Sequence, residues 1–147
     1  MQPKIIGVRY IESGSYGDFN WMIRQPEYSD SLFIFNDNEE HHETNKKGLG
    51  NAIIRPWNKY GDERNPRSAG IPTGTLKLGG YLELTNNVKD TIDNAIIEIE
   101  ELIQKYKFST IYYLVGSNGK LGTSIFYVDH NVVNYIDEQI NLLGIRC

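Results

Sequence analysis

The first apolar cluster, KIIGVRYI from Lys4 to Ile11, is dense in β-branched and aromatic residues and predicts a strand. The later half of GSYGDFNWMIRQ predicts a short helix that starts near Asp18 as N-cap. DSLFIFN, Asp30 to Asn36, is almost continuously apolar. A run without alternation is the pattern of a strand buried on both faces. NAIIRPW, Asn51 to Trp57, fits either a short helix beginning just after Gly50 or another strand, and Pro56 limits it in both cases. Turn residues fill NKYGDERNPRSAG, and AGIPTGTLKLGGYLEL mixes a short extended piece with glycine turns.

The strongest periodicity lies between Val88 and Lys107. Val88, Ile92, Ala95, Ile96, Ile99, Leu102, Ile103 and Tyr106 recur at helical spacing and form one apolar stripe. Glu98, Glu100 and Glu101 fall outside the stripe and read as a solvated face. A strand is expected over Ser109–Gly116, a turn at SNGK around an Asn-Gly pair, and a returning strand over Gly122–Asp129. A last helix, about Asn131–Leu143, carries Val132, Val133, Ile136, Ile140 and Leu143 on one side. With no repeat, low-complexity tract or linker, the expectation is a single domain over residues 1–147. Its class is α/β or α+β, a mixed β-sheet with helices packed on it.

Composition narrows this further. The chain has 147 residues, long enough for one real core. Its net charge of −4, with no basic stripe, argues against a duplex nucleic-acid partner. A small anionic ligand stays open, because backbone dipoles bind phosphate without a basic protein. The single cysteine is Cys147, so no internal disulfide argues for secretion. No signal-like or membrane-length apolar run is present, and a cytoplasmic location is expected.

Candidate chemistry gathers in FIFNDNEEHHETNKKGLGNAIIRP, Phe33 to Pro56. The adjacent His41 and His42 lack the i, i+4 spacing of helical metal pairs, so no metal site is expected. Glu39, Glu40 and Glu43 suit either acid–base work or a solvated loop. Asn36, Asp37 and Asn38 sit where a buried strand emerges, the place where α/β sheets bind ligands. Gly48 and Gly50 allow close backbone approach, and Asn51 would open a helix whose first N–H groups face an anion. Arg55 either engages phosphate or closes the helix end. GIPTG adds Thr73 and Gly74 in a second glycine-framed loop, which is otherwise a structural turn. In this reading the glycine amides and Arg55 meet phosphates, and the asparagines and Asp37 meet ribose or base. Phe35, Trp57 or Tyr81 would stack on a base. There is no nucleophile elbow and no Walker loop, and no cofactor is expected.

Two resemblances meet at these residues. FIFNDN…GLGNAII resembles the ADP-ribose loops of macrodomains, with Asp37 where alanine is usual and a glycine run reduced to Gly-Leu-Gly. LFIFNDN, GLGNAIIRP and SAGIPTG, with the following helix and hairpin, are similar to the first-described family of phage anti-Thoeris sponges. That resemblance implies a non-enzymatic inhibitor of anti-phage defence. Such a protein sequesters cyclic ADP-ribose isomers made by bacterial TIR-domain enzymes. It also implies homo-oligomers built from dimers into hexamers, and cyclic oligonucleotides as further ligands. The alternative is an enzyme acting on ADP-ribose or a related nucleotide, with Asp37 or a loop glutamate as general base. A third expectation is a protein-binding subunit whose polar loop is merely solvated.

Overall fold

The computed structural model describes residues 2–122 and 127–147. Among the described residues six strands and three α-helices follow in chain order: β1 Lys4–Val8, α1 Phe19–Met22, β2 Ser31–Asp37, β3 Ser68–Pro72, β4 Gly74–Thr75, β5 Gly79–Gly80, α2 Asn86–Tyr106, β6 Thr110–Leu114 and α3 His130–Arg146. The segment that allowed two readings, Gly50–Trp57, is a 3-10 helix. Half of the predicted returning strand, residues 123–126, lies outside the described residues, and Gly122 and Tyr127–Asp129 are not strand. Just before it, Val115 and Leu121 form an isolated antiparallel bridge.

β1, β6, β2 and β3 form one sheet in that order, and every pairing in it is parallel. Among the described residues, antiparallel pairing occurs at β4–β5 and in the turn after β6. The fold is a single α/β domain.

Strand β2 is buried almost throughout, as its unbroken apolar run requires. Leu32 and Ile34 face a cluster shared with Ala69, Ile71, Ile111 and the inner sides of α2 and α3. Phe33 and Phe35 face the other side, with Tyr112, Val8, α1 and the 3-10 helix. Helices therefore cover both faces of the sheet.

Helix α2 buries Ile92, Ala95, Ile96, Ile99, Leu102 and Ile103, the heart of the predicted stripe. Each of the larger side chains contributes roughly 2 kcal/mol relative to exposure. Thr85 caps the helix by accepting from the Val88 amide. Lys107, at φ +57°, closes it in the left-handed region. In α3 the buried residues are Val132, Val133, Ile136, Ile140 and Leu143, as the periodicity predicts.

The connections decide where an opening can form. After β1 the chain passes to the face covered by α1. After β6, its sheet neighbour, the chain passes to the opposite face, covered by α3. Two adjacent parallel strands whose exits diverge leave a crevice at their carboxyl ends, the switch point at which open α/β sheets bind ligands.

Candidate functional site

Two polar regions stand at the carboxyl end of the sheet, and they differ in kind. The first is a closed network around β2. Asp37 is buried at the strand's last residue and takes two hydrogen bonds from Arg55, Nε at 3.1 Å and Nη2 at 2.5 Å. Arg55 is 1% exposed, and its Nη1 donates to the Lys46 carbonyl at 2.8 Å. An unpaired buried charge costs several kcal/mol, so the two groups hold each other in place. Gly70 makes the room, since a Cβ there would lie 2.3 Å from the Asp37 carboxylate.

His42 extends the network. Its Nδ1 lies 3.1 Å from Asp37 Oδ2, and its Nε2 lies 2.6 Å from Glu98 Oε1. Burial lowers the imidazole pKa, but the hydrogen bonds and charges of Asp37 and Glu98 outweigh it and push the value up to about 9. Burial likewise raises the Glu98 pKa, while His42, the Tyr60 hydroxyl and Lys59 bring it down to about 2. Tyr60 donates to Glu98 Oε2 at 2.7 Å, and burial together with that carboxylate raises the phenol's pKa.

Several residues stand otherwise than their sequence context predicts. Glu98 does not stand on a solvated face; it is half-buried and triply engaged. The NEEHHE run is not a free polar excursion, because His42 ties it to α2 and Glu40 accepts from the Leu76 amide at 2.9 Å. Arg55 meets a carboxylate and a carbonyl rather than an open surface. Phe35 lies in the core beneath the Arg55 guanidinium, and Trp57 packs under Arg24, so neither is placed to stack on a ligand in the cleft described below. Tyr81 packs against the α2–α3 cluster.

Other predicted residues also close the strand ends. The Thr73 hydroxyl donates to Asn36 Oδ1, and the Thr73 amide donates to the Asp37 carbonyl at 3.0 Å. Asn38 Oδ1 accepts from the His41 amide at 2.9 Å. The Gly74 carbonyl accepts from the Glu39 amide at 3.0 Å, and the Gly48 amide donates to the Ala52 carbonyl at 3.0 Å.

The second region is open. A cleft of about 1040 Å³ lies at the switch point between the ends of β1 and β6. Arg9 and Tyr10 line it from β1, Gly116 to Asn118 and Lys120 from the turn after β6, and His130, Val133 and Asn134 from the start of α3. Asp18 and Asn20 contribute from α1, whose N-cap is Asp18 as expected. Of the residues chosen from sequence, Gly50 and Asn51 line this cleft. Gly50 sits at φ +58°, the left-handed conformation that lets the chain enter the 3-10 helix beside the opening. The residues missed by sequence reading are those after β1 and β6. KIIGVRYI and STIYYLVG each signal a strand, but nothing local says that the two are neighbours.

Among the described residues no group of three or more His, Cys, Asp or Glu side chains is placed to hold a metal ion. Asp37 and Glu98 address different nitrogens of His42 and do not converge on one centre. Among the described residues no helix is long and apolar enough to cross a membrane. No family model matches the chain, and neither a curated protein nor a solved structure matches it.

Proposed function

We propose that the chain binds and retains a small nucleotide-derived signal in the switch-point cleft. The observation that carries this reading is the position and size of the opening, about 1040 Å³ at the diverging ends of two adjacent parallel strands. Ligand sites of roughly 300–1,000 Å³ recur at that place in α/β sheets. Ile53, Leu114, Leu121 and Val133 add apolar surface to the lining, which suits a base. The rim is polar, with Asn20, Asn51, Asn118 and Asn134 offering amides to a sugar.

Retention rather than conversion is supported by the engagement of the acid–base groups: of those lining the cleft, Asp18 accepts from two backbone amides and His130 stands beside Asp129. Asp37, His42 and Glu98 are committed to one another and to Arg55, and none of them lines the cleft. On the resemblance to anti-Thoeris sponges, the signal is a cyclic ADP-ribose isomer. Its removal then keeps a TIR-dependent defence effector inactive in the bacterial cytoplasm. Such a protein works by affinity and stoichiometry, with a dissociation constant below the signal's concentration.

The test is to incubate the protein with a cyclic ADP-ribose isomer, separate the complex, denature it and identify what is released. Intact ligand at a fixed ratio to protein is expected. Ser117 is exposed at the rim, so Ser117→Trp should obstruct the cleft and lower recovery without unfolding the chain. Release of cleaved product alone, or equal recovery from Ser117→Trp, would contradict the reading.

A further inference from the structure

The charges that line the cleft are opposite in balance to those of the chain. The protein carries a net −4. The cleft, however, is lined by Arg9 and Lys120, with Asp18 as the sole carboxylate among the described lining residues. Asp18 is already engaged, its Oδ2 accepting from the Gly14 amide at 2.8 Å and its Oδ1 from the Trp21 amide at 3.3 Å. We infer that the ligand is anionic, of the phosphate or pyrophosphate class, and that Arg9 and Lys120 are its charge contacts. The inference rests on the cleft being the binding site.

The two cations come from the two strands that define the switch point. Arg9 directly follows β1, and Lys120 lies in the turn after β6. Arg9 is exposed, and among the described residues its guanidinium forms no ion pair or hydrogen bond. Every other arginine except Arg64 has a partner: Arg24 on Asn20, Arg55 on Asp37, Arg67 on backbone carbonyls and Arg146 on Glu100. The Lys120 ammonium donates to Asn134 Oδ1, which holds it over the start of α3 and leaves two of its three protons for a ligand. Asp137, one turn further along α3, does not line the cleft.

Charge of one sign concentrated in a concave, partly apolar site raises the local concentration of the opposite ion and strengthens each contact over its value in bulk water. Arginine adds a planar pair of donors that fits phosphate oxygens. A neutral nucleoside would use the apolar surface but gain nothing from either cation.

The experiment is titration calorimetry of the full chain with ADP-ribose, inorganic pyrophosphate and adenosine, on the wild type, Arg9→Gln, Lys120→Gln and the double variant. Lys4→Gln, at the opposite end of β1, is the control for net charge. Circular dichroism checks that each variant is folded. ADP-ribose should bind the wild type more tightly than adenosine does. Each cleft variant should weaken ADP-ribose at least about tenfold, and added salt should narrow the gap. Adenosine binding should not change. Unaltered ADP-ribose affinity in the double variant overturns the charge assignment, and the cleft itself stands if Ser117→Trp still blocks binding. A wild type that binds neither ADP-ribose nor pyrophosphate overturns both.

Discussion

Glu98 Oε1 and His42 Nε2 share a hydrogen bond of 2.6 Å across 56 residues of sequence. It joins the outer side of α2 to the loop that follows β2. With Asp37 on the other ring nitrogen, the imidazole is held between two carboxylates. Arg55 and Lys59 supply further positive charges, so the network holds three cations and two anions.

Removing the bridge should therefore uncover charge rather than simply lose a contact. His42→Ala is expected to destabilise the domain by about 3 kcal/mol, the range for breaking one member of a buried ionic group. Urea unfolding measures it. In a double-mutant cycle with Glu98→Gln the effects should be non-additive by about 1 kcal/mol or more. Additivity would show that the two side chains do not interact in solution.

The pH dependence has a definite sign. His42 has its pKa raised from 6.5 to about 9 on folding, so its contribution is complete below about pH 6.5 and is lost as the pH rises through about 9. Glu98 is shifted from 4.5 to about 2, and its contribution is complete above about pH 4.5 and is lost as the pH falls through about 2. The free energy of unfolding should drop by an amount on the order of 2 kcal/mol between pH 6 and 10. His42→Gln should flatten that limb. A wild-type profile no steeper than the variant's would contradict a charged His42.

Arg55 is the position least tolerant of a conservative change. Its Nε and Nη2 both reach Asp37 Oδ1 while Nη1 holds the Lys46 carbonyl. A lysine cannot reproduce that fork. Arg55→Lys should cost about 2 kcal/mol, and Arg55→Ala about 3–5 kcal/mol, by leaving Asp37 buried and unpaired. Thermal unfolding tests both, and a substitution within ~0.5 kcal/mol of wild type would contradict the pairing.

Gly70→Ala addresses the same network from the backbone side. The new methyl would lie 2.3 Å from Asp37 Oδ2, so either the carboxylate or the strand must move. A loss of roughly 1–3 kcal/mol is expected from this overpacking. The control is Gly116→Ala, where the nearest atom to a Cβ is 3.6 Å away. That variant should be close to neutral in stability.

What the sequence made legible follows from the range of each interaction. The stripes of α2 and α3 are set by neighbours three and four residues apart, and periodicity placed them to within a few residues. The fully buried β2 was legible for the same reason, in a run with no alternation. Asp37 and Arg55 were both marked as important from their positions, but that they pair with each other depends on Gly48 and the 3-10 helix turning the guanidinium inward. An acid just past a buried apolar run and an arginine within another were the available signal, since neither can be buried alone. The His42–Glu98 contact and the cleft had no local signal. Each requires knowing which distant segments are adjacent, and no spacing in the chain encodes that β6 lies beside β1.

That same placement sets the order in which the domain can be built. β6 pairs β1 on one side and β2 on the other, with Lys4 and Ser31 both aligned on Thr110. β2 and β3 can meet as soon as residue 72 has been made, because they are sheet neighbours. β1 has no described sheet partner until the chain reaches residues 110–114. Contacts across such separations close late, after the loop entropy has been overcome. A growing or truncated chain that stops short of β6 would hold the charged network around β2 without its first strand in the sheet. The cleft needs the ends of both β1 and β6, so it cannot form before β6 has joined the sheet.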